Sequence, residues 1–215
     1  MTVIFDAATD GQEAAGDGVI TISHTATGTD LAAFAGGGIS TVATSATTYD
    51  GVSMTELWDG LWSFADSEAH CGYALAAIPS GTKNVVNTFT GGTPNLHAFG
   101  VVTFTGVNQT TPVGTAVATK GQSATPASTV ADADSNDLVV DSTFIDCNGT
   151  TPTIGADQTL RNSEDIGITR NFRQSTQPGS AGGVMSWTIT SNFWAHGAVA
   201  FKPLVPMLPL LGVGT

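Results

Sequence analysis

The chain is punctuated too often for long helices. Runs rich in Val, Ile, Thr and aromatic residues, such as "GVITISHT", "ISTVATSATTY", "HAFGVVTFTGV" and "FWAHGAVAFK", are separated by turn clusters such as "YDGV", "PSGT", "TGGTPN", "DSNDL" and "QPGSAGG". Gly, Pro, Asn and Asp in such clusters reverse the chain, and the runs between them are of strand length. Several runs alternate. In "VITISHT", Ile20, Ile22 and His24 share one face, with Val19, Thr21 and Ser23 on the other. In "GVMSWTIT", Val184 and Met185 compete for the inner face, while Trp187 and Ile189 share it. "FWAHGAVAFK" has small residues on both faces and is expected to be a central strand covered on both sides. "TAVATKGQSATPASTVADADSND" has few large apolar residues and reads as a surface connection or an edge strand. The one helical candidate, "TELWDGLWSFADSEAH", is short and contains Gly60. No internal repeat declares itself. The pattern predicts an all-β chain, with residues 1–202 forming a single two-sheet antiparallel β-sandwich and 203–215 an arm.

Only 11% of the 215 residues are charged, against about 25% in ordinary globular proteins. The net charge is −12, with six Lys and Arg in all. Phosphate recognition needs clustered basic residues, so neither nucleic acid nor an anionic membrane is an expected partner. The opening "MTVIFDAATDGQ" lacks the basic-then-apolar pattern of a secretory signal. Cys71 and Cys147 both fall in strand-like text. Synthesis in a reducing cytoplasm favours buried free thiols over a disulfide, and two cysteines are too few for a stapled scaffold.

The arm reads "FKPLVPMLPLLGVGT". Pro203, Pro206 and Pro209 break the apolar run well short of the about 20 residues that a spanning helix needs. Proline also bars a helix interior and a central strand. An extended, polyproline-like segment remains, carrying Leu204, Val205, Met207, Leu208, Leu210 and Leu211. Left in water, these side chains forgo roughly 1.5–3 kcal/mol each of burial. They are the expected partner-binding residues.

No catalytic constellation is legible. There is no G-x-S-x-G elbow and no H-E-x-x-H. The glutamates Glu13, Glu56, Glu68 and Glu164 do not open a paired-acid spacing, and Glu164 and Asp165 would point to opposite faces of a strand. The chain therefore reads as a non-enzyme with no cofactor. "DADSND" places Asp132, Asp134 and Asn136 as in the start of a calcium loop. Asp137 then stands where the sharp-turn glycine belongs and Thr143 where the bidentate glutamate belongs, so an acidic turn before the strand "LVVDSTF" is the plainer reading. His24, His70, His97 and His196 lie on four separate strands and read as packed residues. Trp58, Trp62, Trp187 and Trp194 read as core, the alternative being a platform for sugar rings.

The order of "FDAAT", "ITISHTATGTD", "ISTVATSATTYDGVSMTEL", "YALAAIPSGTKNVVNTF", "HAFGVVTFTGVNQTTPVG", "DLVVDSTF" and "FWAHGAVAFKP" resembles a family of jelly-roll domains over about residues 3–203. Such domains occur in bacteriophage virion proteins and bacterial surface proteins. The resemblance implies a jelly-roll sandwich and no catalytic set, with Asp6, Asp50 and Lys83 as structural landmarks. Joined to the arm, it leads to the expectation of a phage virion structural protein, most narrowly a homotrimeric capsid decoration or cement protein. Its partners would be the major capsid protein or other virion subunits, and it would reside in the virion after assembly in the host cytoplasm. The rival expectation is a glycan-binding module of a tail fibre or surface adhesin.

Overall fold

The computed structural model describes residues 1–13, 18–39, 44–60, 68–90, 97–147, 149–167, 169–179, 183–190 and 192–205. Among them every regular element is a β-strand, and all pairing between strands is antiparallel. The first half contains β1 (Ile4–Glu13), β2 (Val19–Ala26), β3 (Ala32–Ile39), β4 (Thr44–Tyr49), β5 (Val52–Ser53), β6 (Thr55–Trp58), β7 (Ala69–Ala76), β8 (Gly81–Thr90) and β9 (His97–Thr105). The second contains β10 (Val117–Ser123), β11 (Ala127–Val130), β12 (Leu138–Asp146), β13 (Thr153–Ile154), β14 (Thr159–Ile166), β15 (Arg170–Pro178), β16 (Gly183–Thr188) and β17 (Asn192–Phe201). The helical candidate is strand at Thr55–Trp58 and at Ala69 onward, with 61–67 outside the described residues.

The strands form an antiparallel β-sandwich, as expected, but in four sheets rather than two. Two inner sheets, β1-β9-β3-β7-β6 and β10-β17-β12-β15-β14, pack on each other. Each is covered on its far side by a smaller sheet, β2-β8-β4-β5 on the first and β11-β16-β13 on the second. The burial patterns follow. β2 faces water on one side, and Ile20, Ile22, His24 and Ala26 are its buried face. β3, β9, β12 and β17 are buried along almost their whole length, which is why their text carries small and apolar residues on both faces. The central position expected for the last strand is borne out. So is the edge position of 117–123, and in β16 Met185 takes the inner face while Val184 is exposed.

The halves repeat one another, which corrects the expectation of no internal repeat. Each inner sheet runs in the order first, last, third, next-to-central and edge, and each outer sheet starts from the second strand. Each half thus has jelly-roll connectivity. β6 and β14 correspond, and both carry a bulge at the same place, between Glu56 and Trp58 and between Leu160 and Asn162. Gly100 pairs with Gly36 in the first half, as Gly197 pairs with Ser142 in the second. In that alignment β9 and β17 share Ala-x-Gly-x-Val-x-Phe, at Ala98, Gly100, Val102, Phe104 and at Ala195, Gly197, Val199, Phe201.

The two inner sheets meet by exchanging these equivalents. Trp58 lies over Gly197, where a Cβ would sit 2.3 Å from its ring. Asn162, the equivalent of Trp58, lies over Gly100, where a Cβ would sit 2.7 Å from its Nδ2. Gly36 faces its own equivalent, with Ser142 Oγ 2.6 Å from where its Cβ would be. Such distances leave room only for glycine, so close approach of the backbones is the reason for glycine at these strand positions. Around them Phe34, Phe104, Val140, Val199 and Phe201 close an apolar interface between the halves.

Candidate interaction site at the root of the Pro-spaced segment

The polar side chains that could carry chemistry are mostly tied into the fold. Each histidine holds a fixed role. Thr103 Oγ1 donates to Asp6 Oδ2 (2.9 Å), so it accepts from His24 Nε2 (3.0 Å), and Thr9 Oγ1 donates to His24 Nδ1 (3.0 Å). Trp58 Nε1 donates to His70 Nδ1 (3.2 Å), which leaves Nε2 to donate to Ser142 Oγ (2.9 Å) across the inner sheets. His97 Nε2 donates to Asn87 Oδ1 (2.9 Å). Burial lowers the pKa of His24, against the nearby Asp6 charge, and lowers those of His70 and His97 to about 3. His196 Nε2 donates to Asp141 Oδ2 (2.9 Å) inside the second half.

Asp141 is the buried polar centre that sequence reasoning missed. Its carboxylate also accepts from Ser175 N and Oγ (both 2.7 Å) and Trp187 Nε1 (2.8 Å). The signal was present: a lone carboxylate inside the apolar run "LVVDSTFI". Such a residue must be surrounded by donors if it is to be buried. A second buried charge, Arg173, donates to the Glu164 and Phe172 carbonyls and pairs with Asp165. Asp165 is spoken for by Arg173 and Asn171, and burial raises the pKa of Glu164.

Cys71 and Cys147 are free and buried, as expected, and burial raises both thiol pKa values, that of Cys71 to about 12. Trp58, Trp187 and Trp194 are buried, as are Tyr49 and Tyr73, and Trp62 lies outside the described residues. The described Trp and Tyr therefore serve the core and offer no sugar-stacking platform.

The remaining predicted residues gather at one place. After β17 the chain continues along the 106–113 connection: Val113 bridges Phe201, Lys202 N donates to Pro112 O (2.9 Å), Asn108 N donates to Lys202 O (2.9 Å), Pro203 bridges Val107, and Leu204 N donates to Gly106 O (2.8 Å). That connection is itself braced. Asn108 Oδ1 accepts from Thr110 N and Thr111 N, and Gln109 joins Val107 O to Ala77 N of the turn after β7. Leu204 is half-buried and Val205 is 70% exposed. Met207, Leu208, Leu210 and Leu211 lie outside the described residues.

The acidic turn lies beside this root. Lys202 Nζ bonds Asp137 Oδ2 (2.7 Å) and the Asp132 carbonyl. Asp137 Oδ2 also accepts from Asp134 N (2.7 Å), and Asp132 Oδ2 turns to Thr115 N (2.7 Å). The Asp132 carboxylate thus serves a backbone amide. Lys202 brings its ammonium into this turn, and no group of three His, Cys, Asp or Glu side chains that could hold a metal ion occurs among the described residues. Asp134, Asn136, Asp137, Lys202, Pro203 and Val205 line a cleft of 470 Å³ around the root. These contacts hold residues 202–204 against the 106–113 connection. The chain matches no family model and no curated protein sequence.

Proposed function

We propose that this chain is an assembly subunit of a phage virion, most narrowly a capsid decoration protein, which grips a neighbouring subunit through the Pro-spaced apolar segment. One observation carries the reading. The segment's root is locked to the 106–113 connection by backbone hydrogen bonds, while Val205, the first side chain past the lock, is 70% exposed. The sequence that follows this fixed root carries Met207, Leu208, Leu210 and Leu211, apolar side chains of the kind found at partner contacts. The double jelly roll suits a structural role, and the jelly-roll resemblance supplies the virion context. A trimer of this chain on a capsid protein is the assembly proposed. Glycan binding loses support because the described Trp and Tyr are in the core.

The test is removal of residues 204–215. Far-UV circular dichroism is expected to show an intact β fold, and sedimentation velocity a smaller species than the full chain gives. A truncated chain that assembles as the full chain does would overturn the proposal.

A further inference from the structure

Among the described residues, the repeated architecture treats the corresponding edges of the two halves differently. In the second half's edge strand, Arg161 occupies the bulge and its guanidinium stacks over Phe5 of β1, 3.6 Å from the ring centroid. The repeat places Leu57 where Arg161 stands. It places Val113, bridged to Phe201, where Phe5 pairs with Phe104. At this second edge, among the described residues, Leu57 and Val113 are only half-buried. Leu57, Leu75, Ala76, Pro112 and Val113, with Thr55 at the rim, line a groove of 340 Å³ whose walls are mainly apolar. Among the described residues β6 is also a short edge strand of its sheet.

We infer that this groove receives the apolar segment 206–211 of a second copy of the chain. The inference rests on the assembly reading above and names the seat of its fastener. The segment fits in kind. Prolines at 206 and 209 prevent strand addition to β6, so the contact must be side chains in a pocket, and an extended prolyl segment suffers a small ordering cost. Both surfaces lack charge, since neither the groove's lining residues nor 206–211 include Asp, Glu, Lys or Arg. The direction of the root argues for another copy. From Phe201 to Leu204 the partners run from Val113 through Pro112 and Val107 to Gly106, so the chain moves away from its own groove. Returning would need a reversal within a prolyl segment, which is stiff. A copy placed alongside needs none.

Cross-linking of full-length chains tests this. Ala76→Cys and Leu208→Cys chains are mixed and treated with a short bis-maleimide. Cys71 and Cys147 are buried with raised thiol pKa values and stay silent. The expected product is a cross-linked dimer in the mixture, absent from either variant alone and lost when Leu210→Asp is added. Ala76→Arg, which fills the groove, is expected to weaken self-association roughly tenfold or more, the scale of a lost interface hot spot. A chain carrying both cysteines that cross-links only within itself would overturn the inference and show that its own segment fills the groove. No cross-link, with association still dependent on residues 204–215, would overturn the groove while leaving the assembly reading standing. No cross-link and no association would remove both.

Discussion

At the residue scale, glycines decide how closely the two halves approach. A Cβ on Gly197 would strike the ring of Trp58, which is itself buried between β7 and β17 and donates to His70. Gly197→Ala is therefore expected to destabilise the protein by about 1–3 kcal/mol, the usual cost of overpacking. Trp58→Ala is expected to cost about 3–5 kcal/mol through the cavity it leaves. The two changes should not add, because the smaller side chain at 58 removes the clash at 197. Urea denaturation of the two single variants and the double variant checks this; strict additivity would show that Trp58 and Gly197 are independent. The single letters for glycine and tryptophan were visible in the sequence. Their pairing was not, because it joins residues far apart in the chain.

At the element scale, most strands could be read from alternation and turn residues. The bulges, the outer sheets and the repeat were not apparent. The Ala-x-Gly-x-Val-x-Phe spacing of β9 and β17 is the trace that could have revealed the repeat. It hides because the equivalents of glycine elsewhere are Ser142 and Gln174, and because Asn162 stands for Trp58. The acidic turn shows the opposite case. Its composition looks like a cation site, but Lys202, distant in sequence, supplies the positive charge. Lys202→Met would leave the buried Asp137 carboxylate with the Asp134 amide alone, at an expected cost of about 1–3 kcal/mol. It should also loosen the root of the segment. Thermal denaturation measures the cost, and an unchanged midpoint would mean that the pair holds nothing together.

At the scale of the whole molecule, buried neutral histidines set the response to acid. His70 and His97 have folded pKa values of about 3, well below the ordinary 6.5, and His24 is lowered in the same direction. The unfolded chain therefore binds these protons first as pH falls. The stability contributed is fully present above about pH 6.5 and is lost progressively as pH falls from 6.5 toward 3. A melting temperature that declines through that window is expected, and one that is flat from pH 7 to pH 4 would contradict the protonation states assigned to the two sites. His70 lies between the inner sheets and His97 beneath the outer sheet, so acid acts on both layers of the first half.

The role proposed for the Pro-spaced segment is to join copies of the double jelly roll. Sedimentation equilibrium of the intact chain, beside one carrying Leu208→Asp and Leu210→Asp, tests it most directly. A defined oligomer is expected for the intact chain and a folded monomer for the charged variant. A monomer in both cases, or the same oligomer in both, would contradict it.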